Sequence, residues 1–235
     1  MPVPFFYIYK FIEKESGITL DEDTSRHVVQ VLRMQAGERI NLTDGKGSLI
    51  QTSIIDAHKK HCTVKTESVS RTELPTRHIA IAISILKNTS RLEWFLEKAT
   101  EIGVNEIIPL IASRTEKEKF RHDRLQGILI SAMLQSQQTW LPMLHQPIDY
   151  RLLFKQEEVN ANTNKFIAHC EDSVKVDLAE FPSFDPSSII LIGPEGDFTP
   201  EEIELAFQHG FQAVSLGRTR LRTETAALVA SVLMR

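Results

Sequence analysis

Cysteine is nearly absent: Cys62 and Cys170 are the only two in 235 residues. That is too few for a disulfide framework in a chain of this size, so a reducing compartment is the simpler reading and the cytoplasm the expected location. Long apolar runs are also missing. The longest, "IAIAISIL" at 79–86, is far too short to span a bilayer. The opening "MPVPFFYIYKFIEKE" has neither a basic start nor a small-residue cleavage site, so no leader and no membrane role are expected. Nor is there an excess of positive charge. A net charge of −4 argues weakly against nucleic acid, because phosphate binders commonly present a basic surface. The average hides a local difference: residues 1–77 hold eleven Lys and Arg against ten Asp and Glu, and the remainder sixteen against twenty-one. An RNA or DNA would therefore have to be met by discrete basic patches. Neither the G-x-G-x-x-G nor the G-x-x-x-x-G-K-[ST] spacing occurs, and no internal repeat or low-complexity tract is visible.

What is present is an ordinary globular composition, 42% hydrophobic, whose periodicity changes near residue 77. Before that point "RINLTDGKGSLIQTSIIDAHKKHCTVKTESV" alternates polar and apolar residues around an Asp44-Gly45 turn and a His58–His61 turn, as a meander of short strands does. A small antiparallel barrel is expected, preceded by one helix, "SRHVVQVLRM", with Val28, Val29 and Leu32 on one face. After residue 77, strands "HIAIAISIL", "EIIPLI", "FIAHC", "SIILIG" and "AVSLG" alternate with helices. The first helix, "SRLEWFLEKATEIG", reads as capped by a Ser90–Glu93 box and stopped by Gly103, and others start near Arg121, Pro200 and Thr223. Such alternation predicts an α/β domain with a mostly parallel sheet. Ligands of these sheets bind at the carboxyl ends of strands, which singles out the loops after "FIAHC", at Gly193–Gly196 and after Leu216-Gly217.

Two of those loops are unusual. In "LIGPEGDFTPEE" (191–202) a glycine turn precedes a helix, an arrangement that elsewhere cradles phosphate. Here Glu195, Glu201 and Glu202 would repel one. In "SLGRTRLRTETAALVA" (215–230), arginines 218, 220 and 222 follow a strand-end glycine, and Thr223 is expected to cap a helix whose small first-turn residues allow close backbone approach.

Together these segments resemble the RsmE-type 16S ribosomal RNA uridine N3-methyltransferases of the SPOUT class. "HVVQVLRMQAGERINLTDGKG" and "LEKATEIGVNEIIPL" extend the likeness over essentially the whole chain. The resemblance implies a PUA-like RNA-binding β-barrel over residues 1–72 and a trefoil-knotted SPOUT methyltransferase domain over 73–235. It also implies a homodimer through the C-terminal domain, with 16S rRNA of the small ribosomal subunit as substrate. S-adenosylmethionine would be the cofactor, and its sulfonium cation is compatible with a turn that bears a carboxylate. By the same likeness Ile192, Gly193, Pro194, Glu195 and Gly196 would contact the cofactor. Leu216, Gly217, Leu221, Thr225 and Ala226 would wrap its adenine, with His169 and Cys170 lining the same pocket. Arg222 is the expected catalytic residue and Glu224 the nearest general base; Arg26, Arg33, Lys46, Arg218 and Arg220 are the expected RNA contacts, with Lys59 and Lys60 adding charge. One departure stands out: Gln135 and Gln138 replace an acid and a base common in relatives, whereas Ser136 and Pro142 match.

Plainer readings apply elsewhere. Thr199-x-x-Glu202 with Pro200 at the first helical position is a capping box that needs no functional explanation. Glu93, Glu97 and Glu101 at four-residue spacing read as a solvated face. His58, His61 and Cys62 on one hairpin lack a second cluster, so no metal is expected. Two rival functions remain at this level, a non-catalytic RNA-binding module and a nucleotide-dependent oxidoreductase; the missing dinucleotide fingerprint weighs against the latter.

Overall fold

The computed structural model describes residues 3–12, 17–116 and 119–235, so part of the opening stretch read for a leader lies outside them. The chain divides into two units: Met1–Leu74 with Met133–Leu141, and Pro75–Ala132 with Pro142–Arg235.

In the first unit, strands β1 (Phe5–Tyr7), β2 (Gly17–Thr19), β3 (Arg39–Thr43), β4 (Ser48–Asp56) and β5 (Thr63–Arg71) form one sheet in the order β1-β3-β4-β5-β2. The β3–β4–β5 meander and the β2–β5 pair are antiparallel, as alternation predicts, while β1 runs parallel to β3. Its buried face collects Ile40, Leu42, Ile50, Ile54 and Val64 with Val28 from the preceding helical segment. That segment differs from the uniform helix expected. α1 (Glu22–Arg26) starts earlier because the Asp21 carboxylate accepts the Thr24 N–H at 2.9 Å, and it continues into a π-helical turn over His27–Val31. The wider turn leaves Val28 buried and Leu32 exposed. Residues 139–141 belong to this unit through the β3–β4 turn: Gly47 N–H donates to Thr139 O at 2.8 Å and Leu141 N–H to Gly45 O at 2.9 Å.

The second unit contains β6 (His78–Ser84), β7 (Glu106–Ile111), β8 (Met143–Leu144), β9 (Ile148–Asp149), β10 (Asn164–Ala168), β11 (Val176–Asp177), β12 (Ser187–Ile192) and β13 (Gln212–Ser215). They form one sheet in the order β11-β13-β10-β12-β6-β7-β8, with β9 also beside β7, and every pairing among them is parallel. Helices are α2 (Thr89–Ile102), α3 (His122–Gln135), α4 (Tyr150–Leu153), α5 (Glu157–Asn160), α6 (Pro200–Gln208) and α7 (Thr223–Leu233). The near-continuous burial of β6, β7 and β12 is what a parallel sheet covered on both faces requires.

Two caps differ from expectation. Asn88, not Ser90, caps α2: its side chain accepts the Ser90 N–H, and Glu93 is drawn instead to Arg124, which donates to both of its oxygens at 2.6 and 3.1 Å. Arg222 occupies the cap position of α7 without a side-chain cap bond, so Thr223 is the first helical residue rather than the cap. Gly103 ends α2 in the left-handed conformation, and the Thr199–Glu202 box with Pro200 opens α6 as read from sequence.

Candidate functional site

Strands β13, β10 and β12 are neighbours, although the chain visits them in the order β10, β12, β13. The route from β12 to β13 thus crosses to the other side of β10. A crevice outside the carboxyl ends of the strands follows from such a reversal. Three loops close around it to form a cavity of about 740 Å³, and they are the three that the sequence singles out.

From the end of β10 come Ala168, His169 and Cys170. His169 is only 9% exposed, packs edge-to-face with Phe207, and neither ring nitrogen has a hydrogen-bond partner among the described residues. Burial, helped by Lys175, pushes its pKa down, so the imidazole is neutral at pH 7. A buried polar group left unpaired on a cavity wall is the kind that a bound molecule satisfies.

The loop after β12 supplies Ile192, Gly193, Pro194, Glu195 and Asp197. Gly193 is closely approached by the chain beyond it: a Cβ there would lie 3.2 Å from both the Phe198 nitrogen and its ring, so any larger residue would have to push Phe198 aside. Asp197 has φ of 65°, a left-handed conformation that aspartate tolerates better than most residues. Its two carboxylate oxygens accept the Cys170 N–H at 2.6 Å and the Phe198 N–H at 2.8 Å, so it ties the β10 loop to the β12 loop. Burial and the adjacent Asp197 raise the Cys170 pKa, which keeps that side chain a thiol.

The third wall comes from β13 and beyond. Leu216, Gly217 and Leu221 line it with Arg220, Arg222 and, from α7, Ala226. Gly217 has φ of 122°, where a side chain would be strained. Aliphatic carbons, two guanidinium groups and two carboxylates thus share one cavity, a mixture suited to a zwitterionic ligand with an apolar body.

Not every expected residue joins the lining. Gly196 is packed against Arg114, and Thr225 and Arg218 also stand outside it. Glu224 is not in the lining; it is 7% exposed, with Oε1 3.6 Å from Arg91 Nε and Oε2 without a hydrogen-bond partner among the described residues. Lining residues that sequence reasoning missed include Lys175, Asp197 and Thr219. Asp197 carried the one usable signal, an Asx residue in a glycine turn. In the first unit, Arg26 is held by Glu22 at 2.9 Å and Asp23 at 3.4 Å, whereas Arg33, Lys46, Lys59 and Lys60 are exposed.

Comparison with known proteins agrees with this geometry. Residues 72–235 match a family profile described as an RNA methyltransferase domain, and residues 20–67 one described as an RNA methyltransferase PUA domain. Among curated relatives, the ribosomal RNA small subunit methyltransferase E of Synechocystis sp. is 32% identical over 92% of this chain and 72% of its own length, and that of Rickettsia conorii 29% identical over 95% and 91%. Among solved structures, a probable rRNA-methyltransferase from Porphyromonas gingivalis superposes with a TM-score of 0.88 at 38% identity, covering 97% of this chain and 95% of that one. The ribosomal RNA small subunit methyltransferase E of Neisseria gonorrhoeae, bound to S-adenosyl methionine, superposes at 0.86 with 31% identity, covering 99% and 96%. The parallel-sheet unit is thus a SPOUT methyltransferase domain and the first unit PUA-like, and the chain belongs to the ribosomal RNA small subunit methyltransferase E family.

Proposed function

We propose that this chain methylates N3 of one uridine in 16S ribosomal RNA, using S-adenosylmethionine held in the 740 Å³ cavity. The observation that carries the reading is the convergence of the "IGPEG" and "LGRTRLRTETA" loops on the unpaired His169. These residues fit the cofactor: Ile192, Leu216, Leu221 and Ala226 offer apolar surface to an adenosine, while Glu195 and Asp197 offer negative charge to a sulfonium. When bound, S-adenosylmethionine supplies an electrophilic methyl group. The chain must supply the rest. Uridine N3 carries a proton at neutral pH, and the charge left when it departs spreads onto the flanking carbonyl oxygens. Arg222, on the cavity wall and at the N-terminus of α7, presents a guanidinium fork and a helix dipole of the same sign to that charge. The N3 proton leaves to solvent water, because Glu224, buried beside Arg91, lies outside the cavity lining.

The remaining parts of the reading are a division of labour between residues 1–72 and 73–235, the trefoil knot of the class within the latter, a cytoplasmic location, and a homodimer through the C-terminal unit. Support for the dimer is the composition of α7, whose Val232 is 56% exposed and whose Leu228 and Val229 are half-buried. Light scattering at micromolar concentration should give twice the chain mass; a monomer would remove that claim. Incubation of unmethylated small subunits with labelled cofactor, followed by nucleoside analysis, should yield 3-methyluridine. Another methylated nucleoside would overturn the assigned position, and no transfer would overturn the reaction.

A further inference from the structure

The loop that follows β7 stands outside the cavity, yet it braces one of the walls. Arg114 Nη1 donates to the carbonyl oxygen of Gly196 at 2.7 Å and to that of Phe198 at 3.4 Å. One residue earlier, the Ser113 N–H donates to Glu202 Oε1 at 2.7 Å, and Glu202 Oε2 accepts the Thr199 N–H at 2.9 Å. Two ties therefore join the β7 loop to the turn between β12 and α6. The stem of Arg114 also covers Gly196, where a Cβ would meet its Cδ at 3.3 Å and its Cβ at 3.4 Å. This explains an alternation in the turn: Pro194, Glu195 and Asp197 line the cavity, and Gly196 between them does not.

A charge-assisted hydrogen bond to a carbonyl fixes the orientation of its peptide plane. In this turn the Gly196 carbonyl engages Arg114, while the N–H of the same peptide, on Asp197, donates to Pro194 O at 2.9 Å. Side-chain sterics do not settle that orientation at a glycine, and glycine loses the most freedom when ordered. A turn held in place before the ligand arrives removes that cost from binding.

Taking the cavity as the S-adenosylmethionine site, we propose that Arg114 is a positioning residue for the cofactor, bracing the 193–198 turn from behind without touching the ligand. The test is calorimetric titration of S-adenosylmethionine into the full-length chain and its Arg114→Ala, Arg114→Lys, Gly196→Ala and doubly substituted Arg114→Ala/Gly196→Ala variants. Arg114→Ala should bind about tenfold more weakly, the worth of one charge-assisted bond. Arg114→Lys should recover part of the loss, since its ammonium can meet one carbonyl. In steady state the KM for cofactor should rise with the dissociation constant, while turnover at saturating cofactor and saturating small subunits falls far less. Gly196→Ala crowds the stem of the same arginine, so its effect should run through Arg114 and the double variant should bind no more weakly than the weaker single one. Wild-type affinity in Arg114→Ala, additive losses in the double variant, or a defect confined to turnover would each overturn the inference. Should Arg114→Ala fail to fold, Arg114→Lys and Gly196→Ala decide alone: affinity unchanged in both sinks it, weakened in both supports it. An unaltered chain that bound no S-adenosylmethionine would instead overturn the assignment of the cavity.

Discussion

Arg222 and His169 face the same cavity but answer to different measurements. Removing one preorganised donor from a site where charge develops typically costs about 10²-fold or more in rate. Arg222→Ala should therefore lower single-turnover methyl transfer by about that factor at saturating RNA and cofactor, with cofactor affinity changed much less. Near-normal transfer would move attention to Arg220, the other arginine in the lining. His169 reports through pH. Burial holds its pKa below the ordinary 6.5, so the folded chain binds its proton less readily than the unfolded chain does. Its contribution to stability is complete above about pH 6.5 and is lost as pH falls through the depressed value. Denaturant melts over that acid window should show stability declining, and His169→Gln should flatten that part of the profile. Equal pH dependence in the two proteins would contradict the assignment of a neutral, unpaired imidazole.

At the scale of elements, the link most exposed to test is the opening of α6. Glu202 is buried, accepts the N–H groups of Thr199 and Ser113, and closes the capping box. Glu202→Ala leaves two donors unsatisfied and should cost about 2 kcal/mol, read as a lower denaturant midpoint with an unchanged m-value. That box was legible in the sequence because its signal is local, as were the apolar runs of β6, β7 and β12 and the glycine that ends α2. The α2 start was not: Asn88 and Ser90 are both good caps, and the competition is settled by Arg124, which lies far along the chain and takes Glu93 away. Strands of two or three residues, such as β1, β8 and β11, carry no periodic signal at all. Lateral order is likewise invisible to periodicity, so the sequence pointed to the three cavity loops as strand ends but not to the reversal at β10 that gathers them. Asp197 and Arg114 escaped for a related reason, since their roles consist of contacts to other loops.

For the whole molecule, the chain's net charge of −4 makes nucleic-acid affinity a matter of patches. Arg26 spends its charge on Glu22 and Asp23, which leaves Lys59 and Lys60 on their exposed turn as better phosphate contacts. Replacing both with alanine should weaken binding to small subunits and reduce the slope of log K against log salt by roughly one to two. An unchanged slope would place the RNA elsewhere. A fragment of residues 73–235 is expected to keep cofactor binding and lose RNA affinity, measured by calorimetry and filter binding. It will also carry residues 133–141 without their own unit: Trp140 Nε1 donates to Thr72 O at 3.2 Å, and the backbone of 139–141 bonds the β3–β4 turn. The fragment should be less stable than its size suggests. The same feature bears on how the protein is made. A ribosome releases the PUA-like sheet early, but the strip that finishes that unit emerges only with the end of α3, after β6, α2 and β7. The N-terminal unit thus waits, incomplete, for a segment synthesised in the middle of its neighbour, and vectorial folding from one end cannot finish the first unit before the second has begun.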